Sequence, residues 1–424
     1  MSRTPPPPPG TPGALQRRLG VMDAVTIGLG SMIGAGIFAS LAPAARAAGS
    51  GLLIGLACAA VVAYCNAKSS AGLAARYPAS GGTYVYARER LGEFWGYLAG
   101  WAFVVGKTAS CAAMALTVGT YVWPDHAHAV AAAAVVALTA VNYVGVHRSA
   151  LLTRAIVTVV LAVLAAVVVT VLTSGATQTA RLDVGSDATV VGVLQAAGLL
   201  FFAFAGYARI ATLGEEVRDP AHTIPRAIPV ALGITLAVYA VVAVAVLLVL
   251  GPDRLASTAA PLTEAVHAAG ADGLTPVVRV GAAVAALGSL LALILGVSRT
   301  TLAMARDHHL PHHLAAVHPK FKSPHRAEIA VGLVVAAVAA TADLRAAIGF
   351  SSFGVLVYYA LANASAWTLT PAEGRPVRIV PALGLTGCLA LAFALPPPAS
   401  VATGAAVLAV GAALYAVRRR PPRG

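Results

Sequence analysis

Gly28–Phe38 reads GLGSMIGAGIF, four glycines in eleven residues, inside the first long apolar stretch of the chain. Glycine weakens a helix, yet a helix crossing lipid must satisfy its backbone hydrogen bonds internally. Two readings of the stretch stand side by side. Gly30 and Gly34 have the small-xxx-small spacing that lets membrane helices pack closely. The same glycines also suit a helix interrupted in mid-membrane, where backbone groups face a ligand.

The surroundings are those of a multi-span membrane protein. Of 424 residues, 58% are hydrophobic and 11% are charged, and apolar runs of about twenty residues recur, the length that crosses a bilayer. Turn and charge punctuation predicts twelve spans near 23–45, 50–70, 95–121, 127–146, 151–174, 189–214, 227–250, 274–302, 327–342, 346–368, 378–395 and 399–417. The longest connection on the basic side, from Ser298 to Glu328, is too short for a second folded domain. The expected organisation is a disordered proline-rich tail over 1–20, one transmembrane domain over 21–417, and a basic tail over 418–424.

A net charge of +13 raises the question of nucleic acid, but in such a chain basic residues report orientation. Most of the 29 Lys and Arg fall in loops on one side. The opposite side receives Arg46, Arg181, Arg254, Arg279 and Arg345, and Lys107 and Arg209 fall within spans. Both termini are therefore expected in the cytoplasm, with the spans in the cytoplasmic membrane. Cys58, Cys65, Cys111 and Cys388 all lie in apolar spans, which argues for packing rather than a disulfide frame. The opening MSRTPPPPPGTPG lacks the pattern of a cleaved signal.

The sixth span contains a second irregular stretch, FFAFAGYARI over Phe201–Ile210, five spans after the first. Interrupted helices at matching positions of two halves point to inverted-repeat transporters. At these residues the sequence resembles the amino acid-polyamine-organocation superfamily of permeases. Gly28, Gly30, Met32, Ile33, Gly34, Gly36, Ile37 and Phe38 match that family's first-span pattern. The likeness continues through PASGGTYVYARERLGEFWGYLAGW, FFAFAGYARIATLGEEVRDPAHTIPRAI and GSLLALILGVSRTTLAMARDHHLPHHLAAVHPKF, covering roughly residues 20 to 330.

The resemblance implies an all-α integral membrane fold of two inverted five-helix repeats, about 21–174 and 189–368, with spans one and six discontinuous and peripheral helices over 378–417. It implies secondary transport of amino acids by alternating access, as proton-coupled uptake or exchange, with no cofactor and no metal. In that family the substrate carboxylate meets free amides where span one unwinds, here Ile33, Gly34, Ala35 and Gly36. Helix N-termini favour such anions. The substrate ammonium would meet carbonyls of Phe202, Ala203 and Ala205, with Phe204 and Tyr207 as candidate aromatic gates. Taken ring by ring, packing is as ordinary a role for those two.

The sequence departs from the family in span five, where many relatives carry a lysine and this chain has AIVTVVLAVLAAVVV, with Val160 near that position. Lys107 instead lies deep in span three, fourteen residues after Glu93, or about 21 Å along a helix. A lysine there is costly and able to exchange a proton, which makes it the candidate coupling group; a cavity lysine held by carbonyls is the plainer alternative. Arg209 follows Tyr207 where many relatives have an acid, and it is a candidate to pair with Asp23 as an inner gate or to snorkel to the boundary. Ser289 in span eight is a candidate to line a cation site against span one, or to bond its own backbone. Two unopposed cations favour neutral, or acidic, amino acids over cationic ones.

His308, His309, His312 and His313 include i,i+4 pairs, but Pro311 interrupts the helix, favouring a solvated loop over a metal site. An enzyme needs converging acid, base and nucleophile, which the span centres lack. A substrate sensor on the same fold, or transport of another amine or organic acid, remains the alternative.

Overall fold

The computed structural model describes residues 19–77, 81–144, 150–211, 213, 216–321 and 323–418. Of the expected tails over 1–20 and 418–424, residues 1–18 and 419–424 lie outside the described residues. Among the described residues the chain is helical, with one isolated parallel bridge between Leu19 and Val217. Ten helical stretches among the described residues are long and apolar enough to cross a bilayer.

Span one is divided into α1 (Val21–Met32), α2 (Ala35–Ala39) and α3 (Leu41–Ala48). Then follow α4 (Leu52–Arg76), a short α5 (Thr83–Leu91), α6 (Glu93–Val122), α7 (Ala127–Tyr143) and α8 (Ala150–Thr173). Span six is α9 (Val190–Phe204) and α10 (Ala208–Ala211), joined by one 3-10 turn over Ala205–Tyr207. The chain continues through α11 (Pro220–Ser257), the short α12 (Pro261–Ala268) and α13 (Thr275–Arg306). It ends with α14 (His325–Thr341), α15 (Leu344–Trp367), α16 (Ile379–Ala394) and α17 (Pro398–Arg418).

The regions expected as spans nine and eleven form α14 and α16, helices of 17 and 16 residues. They are shorter than the roughly 20 residues that cross a bilayer untilted. The connection read from Ser298 begins later, because α13 stays helical to Arg306. Good helix formers such as Leu302, Ala303 and Met304 carry the last turns past the apolar stretch.

Burial separates centre from periphery. In α6, 83% of the most apolar window is buried, against 17% in α7 and 17% in α17. Small residues place α6 at the centre: a Cβ on Gly106 would lie 3.1 Å from the Gly354 backbone of α15, so these two helices meet main chain to main chain. The beginning of span one and the exit from span six run side by side, with Leu19 N–H donating to Glu216 O at 3.1 Å and Arg218 N–H to Leu19 O at 2.8 Å.

Candidate functional site

The helix of span one stops at Met32. Ile33 (φ −79°, ψ 60°) and Gly34 (φ −115°, ψ −134°) leave the helical region, and α2 restarts at Ala35. None of these angles requires glycine; space does. A Cβ on Gly34 would lie 2.0 Å from Ser289 Oγ, one on Gly36 would lie 2.6 Å from Ala203 Cα, and one on Gly206 would lie 2.2 Å from Ser31 O. Real Cβ atoms do not approach so closely, so the glycines bring the two interruptions together and press span one onto α13. Close packing and helix interruption occur here in the same residues.

Interrupting a helix frees carbonyls that need donors. Side chains from four other helices reach them. The Tyr239 hydroxyl of α11 lies 2.5 Å from Met32 O and 3.1 Å from Ala203 O, so its one proton serves carbonyls of both interrupted spans. Ser289 Oγ donates to Gly30 O at 3.1 Å, and Tyr121 Oη of α6 donates to Phe38 O at 2.9 Å. Ala205 O accepts from Lys107 Nζ at 3.2 Å and from Tyr359 Oη of α15 at 3.3 Å.

A cavity of about 430 Å³ extends from Lys107 and Ser289 at the interruptions towards Gly81, Tyr84 and Arg306 at the end of α13. Of the candidate residues, Lys107, Phe202, Ala205, Arg209 and Ser289 are in its wall. Ile33, Gly34, Ala35, Gly36, Ala203, Phe204 and Tyr207 are buried. Among the four candidate amides, Ile33 N–H donates to Leu29 O and Gly34 N–H to Met32 O. The Ala35 and Gly36 amides open the first turn of α2, where no intrahelical acceptor precedes them.

Both candidate gate rings are packed in this conformation. Phe204 lies 5.2 Å from the Tyr239 ring and Tyr207 stacks on Tyr359 at 5.0 Å, each fully buried. Asp23 forms its ion pair with Arg154 and accepts from Gly20 N–H at 3.0 Å. The partner expected for it, Arg209, is in the cavity wall with Glu216 and Arg299. Arg154, at the start of α8, reaches across to α1, a partnership that separation in sequence concealed. Val160, where relatives carry the span-five lysine, is fully buried.

The sequence reading passed over Tyr239, Tyr359, Arg299 and Glu328. The two tyrosines sit in apolar runs with nothing local to mark their hydroxyls, while Glu328 looked like part of a polar connection yet is fully buried.

A cavity leading to two interrupted membrane helices is the arrangement found in carriers of small molecules. Comparison with known proteins agrees: the model of the amino acid permease family matches residues 23–387, and the chain belongs to that family. It is 76% identical over 417 residues to an uncharacterized transporter of Mycobacterium tuberculosis, covering 98% of this chain and 94% of that one. It is 26% identical over 412 residues to a branched-chain amino acid permease of Bacillus subtilis, covering 89% and 88%. It is 28% identical over 380 residues to a chloroplastic cationic amino acid transporter of Arabidopsis thaliana, covering 82% and 65%. The protein is a multi-pass membrane transporter, not an enzyme.

Proposed function

We propose that the protein is a twelve-span secondary transporter of the cytoplasmic membrane, with both termini in the cytoplasm, that moves amino acids by alternating access. Spans one to five and six to ten form the inverted repeats, and α16 and α17 are peripheral. The substrate carboxylate meets the amides of Ile33–Gly36, and its ammonium meets the carbonyls of Phe202, Ala203 and Ala205. Phe204 and Tyr207 close over the substrate when their helices move. Neutral amino acids are favoured over the cationic ones for which the Arabidopsis relative is named, because Lys107 and Arg209 already line the cavity.

One observation carries the reading: Lys107, buried in the most enclosed helix, donates to Ala205 O at the interruption of span six. That carbonyl is one the substrate ammonium would use. Lys107 and the substrate therefore compete for it, and loss of the Lys107 proton weakens the hold of Lys107 on it, because a neutral amine is a weaker donor than an ammonium. Such competition couples proton movement to substrate occupancy, whether the cycle runs as symport or as exchange.

The test is uptake of labelled amino acids into proteoliposomes, with and without an inward proton gradient, for wild type and Lys107→Ala. The expected result is gradient-driven accumulation of neutral amino acids in wild type, and exchange without accumulation in the variant. Unchanged accumulation in Lys107→Ala would remove Lys107 from the coupling. A panel without any transported amino acid would defeat the substrate class in favour of another amine or an organic acid.

A further inference from the structure

Glu328 has no part in the site described above. It lies in the first turn of α14 and is fully buried. Neither of its carboxylate oxygens has a hydrogen-bond partner among the described residues. A carboxylate taken out of water in that state either finds a cation or takes up a proton. Two features favour the charge: the N-terminal dipole of α14 and Arg299 on α13, the charged group whose field acts on Glu328 among the described residues.

The remaining neighbours of α14 are α7, α6 and the turn over His312–Ala315. Near its start, α7 ends in Tyr143, which forms an aromatic cluster with His318 and His325. The turn contributes His313, whose carbonyl accepts from Arg326, and α6 carries Glu93 and Lys107. Arg299, like Lys107, also belongs to the cavity wall, together with Arg209, Arg306 and Glu216. Its charge acts on the buried carboxylate, and its side chain lines the cavity.

We propose that Glu328 is a proton-binding site that sets the position of the Arg299 guanidinium. With Glu328 protonated, Arg299 stays in the vestibule; with Glu328 ionised, Arg299 is drawn back onto the carboxylate. The proton comes from water in the vestibule and returns to it. Its binding neutralises Glu328 and leaves one guanidinium facing the path. A substrate carboxylate on that path is held longer, so exchange slows when the side facing the vestibule is acid. The transport consequence rests on the proposed permease function; the proton site does not.

Infrared spectroscopy of the full chain in lipid, without substrate, tests the site directly. Wild type should show the C=O stretch of a protonated carboxylic acid that disappears as pH rises, and Glu328→Gln, which mimics the neutral acid in shape, should lack it. Arg299→Met keeps Glu328 and removes the nearby cation, so the band should persist to higher pH. An unchanged band in Glu328→Gln overturns the proposal; if that variant does not insert, an Arg299→Met titration identical to wild type overturns it. In proteoliposomes, Glu328→Gln should exchange at the acid-side rate at every internal pH. Retention of the wild-type pH profile overturns the link to Arg299, whereas absence of exchange by any amino acid defeats the permease reading and leaves the infrared result standing.

Discussion

At the scale of single residues, the glycines of the two interruptions are ranked by what each faces. A Cβ on Gly206 would meet the Ser31 carbonyl and amide bond, and one on Gly36 would meet the Ala203 backbone, neither of which can turn aside. At Gly34 the nearest atoms are side-chain ones, the Ser289 hydroxyl, which can rotate, and the Ser289 Cβ at 2.8 Å, which can move only with its helix. Gly206→Ala should therefore destabilise by about 1–3 kcal/mol, the usual cost of overpacking, and Gly34→Ala by less. Thermal unfolding in detergent, followed by size-exclusion, checks the order; a larger loss in Gly34→Ala than in Gly206→Ala would mean that backbone contact is not the constraint. Gly34 and Gly36 stand in the first-span pattern and Gly206 in the FFAFAGYARI stretch, so their positions were visible in the sequence. What each one faces was not, because Ser289 and Ala203 come from helices far away in sequence.

At the scale of elements, the interrupted helices are held by donors from their neighbours, and redundancy decides what each donor is worth. Ala205 O accepts from both Lys107 and Tyr359, so Tyr359→Phe leaves it one donor. The single substitution should cost about 0.5–1.5 kcal/mol, the net value of an ordinary hydrogen bond. Combining it with Lys107→Met strips the carbonyl of both donors, and the double variant should lose more stability than the sum of the singles. A double-mutant cycle of melting free energies measures the difference; strict additivity would show that Ala205 O is satisfied elsewhere. Tyr239→Phe should behave differently, because Met32 O keeps the Gly34 amide while Ala203 O loses its side-chain donor. The interruptions themselves could be read from glycine and from the FFAFAGYARI stretch. Their donors could not, since a tyrosine in an apolar run looks the same whether its hydroxyl is idle or essential.

At the scale of the whole molecule, the vestibule end is fastened by charges on separate elements, and one carboxylate is their hub. Glu373, in the turn between α15 and α16, pairs with Arg90 of α5 at 2.6 Å and with Arg76 at the end of α4 at 3.4 Å. It also accepts from Thr370 N–H at 2.9 Å. The charge pattern of the sequence foretold basic residues here, yet gave no reason to connect Glu373 with two arginines about three hundred positions away, because only the folded chain brings these loops together. The hydrogen bonds to Arg90 and Thr370 hold its carboxyl far below the ordinary 4.5, at about 2. A carboxyl lowered on folding stabilises the fold fully above its unfolded value, and that contribution fades as pH falls from about 4.5 towards about 2. The melting temperature of wild type should therefore fall from about pH 5 to about pH 3, more steeply than that of Glu373→Gln, which has no proton to gain there. Because the pairs are partly exposed, raising salt should shrink the gap between the two curves. Parallel curves for wild type and Glu373→Gln at low salt would remove Glu373 as the fastening point and leave the arginines to the general positive charge of that face.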